Sequence, residues 1–423
     1  MLSDIPGSGA YAPGVYYTEA FAPDAPVPFR TGVPLFIGRV TAASEAEERT
    51  VFFASRWEDF DARVRGSLAE GYLGAAVRGF FENGGERCAV QTVPRSDDLA
   101  GALAAPLTGG VLDDLEEVDL VCVPDAMLAE AEAAYRIQQA ALDHCARTSR
   151  MAILDSASPV GTGSEGGADA LLARVREQRD RLPRARQGAL YFPWIRVAES
   201  TADAVTAAAR TRRQGLGTGG IAGSRQGAGR LVPPCGHVAG VYSRVDTTRG
   251  ARKAPANEIL EGVVDLELAV REDQHQELNE LGINCLRSFT GRGIRVYGAR
   301  TLSGQSDWRF VNVTRLFLTL SRWMTYRLSD LVFEPHTPGL WSRVRDRLNA
   351  YCLGLFEQGA LQGAAPEQSF FVKCDAETNP PDSRDRGMIV AEIGLAAVAP
   401  AEFIVVRVTQ RASGATFTPS TAL

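Results

Sequence analysis

The sequence predicts a protein of two domains, α/β in residues 31–200 and α+β in residues 232–411. In the first domain, short apolar segments alternate with amphipathic helical segments, which is typical of a sheet covered on both faces. A stretch rich in glycine and arginine, residues 201–231, interrupts this pattern and is predicted to be a linker loop. With 423 residues, of which 45% are hydrophobic, the chain is long enough to bury two cores.

The elements of the first domain follow from the spacing of apolar residues. Residues 1–30 are rich in proline, glycine and alanine, and they are predicted to form an extended arm with one strand-like run at Val15–Tyr17. The predicted strands are Leu35–Val40, Cys88–Val93, Leu120–Val123, Ala152–Leu154 and Leu190–Val197. Apolar residues recur at spacings of three and four in the predicted helices, which are Tyr72–Phe81, Ala129–Cys145 and Ala168–Leu182.

The second domain mixes helices and strands. The predicted helices are Arg271–Leu281, Val313–Leu328 and Leu340–Phe356, and Thr337 and Pro338 provide an N-cap and a first-turn proline for the last one. Two short strands are predicted around the Gly-Arg-Gly turn at 291–293, and others at Val332–Phe333, Val390–Leu395 and Phe403–Val408. The last segment, residues 412–423, is polar and is predicted to be a flexible tail.

Composition argues against nucleic acid and membrane as partners. The net charge of −6 does not provide the clustered positive charge that phosphate binding requires. The most apolar stretch, Met388–Val406, contains Glu392, Pro400 and Glu402, which are costly in hydrocarbon, so direct membrane insertion is not expected. The N-terminus lacks the features of a signal peptide and the seven cysteines are odd in number and scattered, so we expect a cytoplasmic protein with reduced thiols.

The sequence predicts no catalytic residue, no cofactor and no metal. Gly215–Gly220 matches G-x-G-x-x-G, but no strand precedes it and no helix follows it, so a loop is predicted there. Cys235 and His237 could bind a metal only with two further ligands that no spacing provides. No serine or cysteine lies in a G-x-S-x-G type of turn.

A succession of short motifs gives positive evidence. Residues 282–313 contain, in order, Gly-Ile-Asn, Gly-Arg-Gly, Gly-Ala-Arg-Thr-Leu and Trp-Arg-Phe-Val-Asn-Val. Pro-Gly-Val-Tyr occurs at 13–16, Phe-Phe-Glu-Asn-Gly-Gly at 80–85 and Pro-Ala-Glu-Phe-Ile at 400–404. These motifs and their order resemble the contractile phage tail sheath protein family, most completely over residues 185–411.

The resemblance implies a two-domain tail-sheath fold with extended N- and C-terminal arms for β-strand exchange between subunits. Such subunits form six-fold rings stacked around an inner tube, and contraction of the sheath drives the tube through a target envelope. The implied partners are further copies of the chain, the inner tube protein, and baseplate and terminal cap proteins. Residues 232–411 would form the inner layer and 31–200 the outer layer. Assembly is expected in the bacterial cytoplasm, and the resemblance fits a phage tail, a tailocin and a dedicated injection system equally.

The resemblance also names residues. The exchanged strands are expected to contain Val15, Tyr16, Tyr17 and Thr18 in the arm, and Phe403, Ile404, Val405, Val406, Arg407 and Val408 in the closing strand. The motif residues expected to have structural roles are Gly293, Gly298, Arg300, Thr301, Trp308 and Arg315. The alternative interpretation is a cytosolic two-domain α/β enzyme that uses the glycine-rich loop at 215–229 as an anion cradle.

Overall fold

The computed structural model describes residues 30–40, 51–64, 71–94, 96–157, 167–198 and 229–400, together with the backbone of 405–411 and 414–420. The strands are β1 Pro34–Arg39, β2 Val51–Ala54, β3 Cys88–Val93, β4 Leu120–Cys122, β5 Met151–Asp155, β6 Gly188–Phe192, β7 Ile195–Val197, β8 Arg230–Val232, β9 Glu258–Ile259, β10 Val263–Leu266, β11 Ile283–Phe289, β12 Gly293–Tyr297, β13 Phe370–Lys373, β14 Glu392–Leu395, β15 Val405–Arg411 and β16 Gly414–Ser420. The helices are α1 Trp57–Val64, α2 Leu73–Glu82, α3 Leu99–Ala104, α4 Ala131–Thr148, α5 Gly167–Arg181, α6 Cys235–Arg249, α7 Glu272–Glu280, α8 Val311–Arg327, α9 Pro338–Glu357, α10 Pro366–Ser369 and α11 Pro381–Asp385.

A mixed sheet of nine strands occupies the centre of the molecule, in the order β2-β3-β1-β4-β5-β6-β11-β12-β9. Neighbouring strands are parallel from β3 to β11, whereas β2, β12 and β9 join antiparallel at the two ends. Every residue of β3, β5 and β6 is buried, as expected for parallel strands covered on both faces. The predicted α/β class is confirmed, and β7, β8 and β10 form a small separate sheet.

Strands from both sides of the 201–231 segment share the central sheet. β11 pairs in parallel with β6 through Ile283 opposite Leu190 and Cys285 opposite Phe192. One continuous hydrophobic core extends along the sequence from Val33 to Leu318. The segment at 201–231 therefore does not divide the strands into two sheets.

Three local predictions need correction. The edge strand β2 is absent from the prediction, and the single strand predicted at Leu190–Val197 is two strands, since Pro193 between them has no amide hydrogen to donate to a ladder. The strand predicted at Val332–Phe333 is wrong. These two residues follow a short 3₁₀ turn, and Phe333 has a φ of +71°, far from the extended region.

A second, smaller core lies between α8, α9 and the ribbon formed by β13 and β14. Its buried members are Leu320, Trp323, Leu331, Leu340, Trp341, Val344, Leu348 and Cys374. The predicted start of α9 is confirmed, because the Thr337 hydroxyl accepts a hydrogen bond from the Leu340 amide at 3.4 Å and Pro338 occupies the first turn. Val372 of β13 and Ile393 of β14 pack against this core from one side.

The end of the described chain is a β-hairpin. β15 pairs antiparallel with β16 from Val405 opposite Ser420 to Arg411 opposite Gly414. The tail predicted to be flexible from residue 412 therefore contains a seven-residue strand. Its run of Thr416, Phe417 and Thr418 has high strand propensity, which outweighs the polarity on which the prediction was based.

Candidate functional site

The Gly-Arg-Gly motif forms the turn between β11 and β12. Gly291 has a φ of +72° and Gly293 a φ of +75°, and only glycine adopts this left-handed region without strain. Arg295 continues the turn by donating to the carbonyl oxygens of Arg292, at 3.0 Å, and Asn257, at 2.7 Å. The motif therefore fixes the hairpin and the segment that leads into β9.

The next motif connects the end of β12 to β11 through Asn284. The buried Asn284 side chain accepts from the Arg300 amide at 2.7 Å and donates to the Arg300 carbonyl at 2.8 Å. A Cβ at Gly298 would lie 2.8 Å from the Asn284 Oδ1 atom, so glycine is required for this close approach. The two hydrogen bonds satisfy a backbone unit at the point where the chain leaves the sheet.

Arg300, Thr301 and Trp308 continue this connection into α8. The Arg300 guanidinium donates to the Asn279 carbonyl at 2.8 Å, and the buried Thr301 hydroxyl donates to the Trp308 carbonyl at 2.6 Å. The Trp308 ring contacts the Arg186 guanidinium, 4.2 Å from the ring centre, and packs nearly perpendicular to the Phe317 ring, with the two ring centres 5.0 Å apart. Residues 298–310 are thus a braced connection between the sheet and the first C-terminal helix.

Arg315 anchors α8 to the main core through a buried ionic cluster. Its guanidinium donates to both carboxylate oxygens of Asp246 on α6, one of them at 2.8 Å, and to Asp119 before β4 at 2.9 Å. Asp119 also accepts from the Val33 amide at 2.7 Å. Burial alone would lower the pKa of Arg315, but the two carboxylates hold it above its ordinary value, so the guanidinium stays charged. This pairing was not visible in the sequence, where the three residues are far apart.

The motif residues therefore position secondary structure and present no reacting group. In the described part of the chain, no group of three or more His, Cys, Asp or Glu side chains is arranged to hold a metal ion. Cys235 uses its amide to donate to Asp155 at 2.8 Å. His237 is buried against Gly79 and has no hydrogen-bond partner at either ring nitrogen among the described residues, and burial lowers its pKa to about 4. Gly215–Gly220 lies outside the described residues.

The strand edges are the second part of the candidate site. β13 and β14 pair only with each other, so among the described strands each leaves one edge open. Phe371 projects from the face of this ribbon that is opposite the small core, and its side chain is 59% exposed. None of the described helices is long and apolar enough to cross a membrane.

The predicted exchange strands are only partly within the described structure. Val15, Tyr16, Tyr17 and Thr18 lie outside the described residues, as do Phe403 and Ile404. Val405, Val406, Arg407 and Val408 belong to β15 and pair with residues 417–420 of the same chain.

In these features, the motif residues brace the secondary structure, and the ribbon of β13 and β14 leaves open edges among the described strands. The chain belongs to the phage tail sheath protein family. Residues 184–302 match the family model of the phage tail sheath protein central domain, and residues 303–411 match that of the phage tail sheath C-terminal domain. This confirms the predicted family.

Similar proteins are known from phages and from injection systems. The tail sheath protein of Vibrio phage KVP40 is 29% identical over 168 residues, which are 39% of this chain and 24% of that protein, so the match spans about a quarter of that relative. The cryo-EM structure of the anti-feeding prophage helical sheath in the contracted state is 29% identical, with a TM-score of 0.69, over 95% of this chain and 100% of that chain. The sheath complex of the extracellular contractile injection system PVC, also contracted, is 27% identical with a TM-score of 0.69, over 96% and 99% of the two chains.

Proposed function

We propose that the chain is the structural subunit of a contractile sheath that polymerises in six-fold rings around an inner tube and contracts to drive the tube through a target envelope. The observation that carries the proposal is the similarity along nearly the whole chain to sheath subunits solved in a contracted state. The further partners in this proposal are the tube protein, the baseplate and a terminal cap, and assembly takes place in the bacterial cytoplasm. No catalytic step is part of it.

A sheath subunit has to move as a rigid body, and the braced connection after β12 supports this requirement. The Asn284 and Arg315 contacts tie the start of α8 to the nine-stranded sheet, so the two cores move together. The inner layer was predicted to be residues 232–411. In our proposal it is narrowed to residues 311–400, because strands β9, β11 and β12 are part of the nine-stranded sheet of the outer body.

Connections between subunits are proposed to form by strand addition. A strand added to the open edge of β13 or β14 would form main-chain hydrogen bonds, each contributing about 0.5–1.5 kcal/mol. The segment at Val15–Thr18 and the closing strand at Phe403–Val408 are the proposed donors. Since β15 already pairs with β16, its donation would require exchange of that partner or transfer of the hairpin as a unit.

Negative-stain electron microscopy of the purified protein tests the proposal. We expect striated tubes from the full chain, and only soluble folded subunits, with an unchanged circular dichroism spectrum, from a variant lacking residues 1–20. Discrete particles whose thermal stability depends on a small anion would instead support the enzyme alternative. Tubes of normal appearance from the truncated variant would contradict the role of the arm but not that of the subunit.

A further inference from the structure

The loop between α8 and α9 displays an aromatic side chain in an unusual way. Phe333 is fully exposed, at 101% of its reference area, and the neighbouring Val332 is 59% exposed. Phe333 also has a φ of +71°, a conformation that is costly for a bulky L-residue. Nothing inside the described chain compensates this cost, because the ring packs on nothing.

The strained loop is held rigidly on both sides. Before Phe333, Leu331 is buried in the small core, and Asp330 accepts a bidentate pair of hydrogen bonds from Arg347 at 2.6 and 2.8 Å. After it, His336 accepts from the Trp341 indole at 3.1 Å and uses its other ring nitrogen to donate to the Met388 carbonyl at 3.0 Å. These contacts restrain the loop on both sides of Phe333, and backbone strain of this kind clusters at functional sites.

Two further exposed apolar residues lie near this loop. The His336 bond places the loop beside Met388, which is 43% exposed, and the chain then leads through Val390, 37% exposed, into β14. We call Val332, Phe333, Met388 and Val390 the apolar knob. The charges of the flanking acidic residues are neutralised by ion pairs, because Asp330 pairs with Arg347 and Glu334 pairs with Arg343 at 2.9 Å.

We propose that the apolar knob is an anchor for a second copy of this chain, with the Phe333 ring inserted into an uncharged pocket of the neighbouring subunit. This inference rests on the proposed function. A second copy is favoured because the knob is continuous with the edge of β14, where a strand of a neighbouring subunit is proposed to pair. A rigid aromatic residue surrounded by neutralised charges has the composition of a binding hot spot.

The substitution Phe333→Gly separates anchoring from folding. Glycine adopts a φ of +71° without strain and the ring buries nothing, so the thermal midpoint of the isolated subunit should not fall. Loss of a hot-spot aromatic should raise the critical concentration for assembly, measured by sedimentation, about tenfold or more. Val111→Ser is the matched control, because Val111 is 70% exposed but belongs to the segment before β4 and is not part of the knob, and this variant should assemble like the parent.

Three outcomes would overturn the inference. Equal critical concentrations for Phe333→Gly and the parent would show that the ring contacts no second copy. Unchanged self-assembly with lost binding to purified tube protein would assign the knob to that partner instead. If the parent chain itself does not associate, the proposed function fails together with the anchor, whereas failure of the anchor alone leaves a parent that still forms tubes.

Discussion

The body around the nine-stranded sheet and the C-terminal region of residues 311–400 differ in how completely each covers its own apolar surface. Of the eleven large hydrophobic residues exposed in the described chain, eight lie in the C-terminal region: Tyr326, Val332, Phe333, Leu353, Phe371, Met388, Val390 and Val398. A buried ionic cluster joins the two regions, because Arg315 on α8 pairs with Asp119 and Asp246 of the sheet body. The body therefore covers most of its large apolar residues itself, whereas the C-terminal region leaves a surface that is typical of an interaction site.

Removal of the buried charge that joins α8 to the sheet body should have the largest effect on stability. Arg315→Ala leaves Asp119 and Asp246 buried without their cation, and the expected loss is about 3–5 kcal/mol of unfolding free energy in urea denaturation. Arg343→Ala removes the exposed pair with Glu334 in the C-terminal region and should cost about 0–1 kcal/mol. Similar losses for the two variants would show that the buried cluster contributes no more to stability than an exposed ion pair.

A second test uses the buried histidine of the body. Because burial lowers the pKa of His237 to about 4 from about 6.5 in an unfolded chain, the folded state favours the neutral ring. The contribution of the neutral His237 ring to the free energy of unfolding is complete above pH 6.5. It is lost as the pH falls from 6.5 towards 4. At pH 5 the protein is expected to have lost about 2 kcal/mol of unfolding free energy through His237, relative to pH 7.

The pH dependence of stability has to be compared between the parent and a variant without His237, since other titratable groups change the stability in the opposite direction. Burial raises the pKa of Asp155 and of Glu267 to about 7, so these carboxyls favour the folded state more strongly as the pH falls. The stability difference between the parent and His237→Ala should therefore shrink by about 2 kcal/mol between pH 7 and pH 5. A difference that stays constant over this range would mean that His237 does not titrate as a buried neutral ring.

The sequence predicted elements well where burial leaves a pattern in neighbouring residues. β3 begins at Cys88 and ends at Val93 as predicted, because every residue of that strand is buried and all but Gln91 and Thr92 are apolar. The same rule failed at Val332–Phe333, where apolar side chains are exposed and their run does not report burial. Apolar character alone does not distinguish a buried strand from an exposed apolar loop.

Contacts between distant segments were outside the reach of local patterns. Nothing near Ile283 indicates that its strand continues the sheet next to Leu190, because that pairing depends on the closure of a chain segment of more than ninety residues. Arg315 was singled out through its motif, but its partners Asp119 and Asp246 carry no local signal. The family resemblance supplied the residues of the site, and only the structure supplied their geometry.

The smallest effect should appear at the start of α9, in the C-terminal region. Thr337→Ala removes the hydroxyl that caps the Leu340 amide and should lower stability there by about 0.5–1 kcal/mol. Since the region has its own small core, the loss should appear in hydrogen exchange as faster exchange of the amides in the first turns of α9, by about two- to fivefold, with little change in the β3 amides. Thr337→Ser keeps the hydroxyl and should exchange like the parent. If the exchange rates of the β3 amides rise as much as those of the α9 amides, the two regions unfold as one unit. They then differ only in how much apolar surface each exposes.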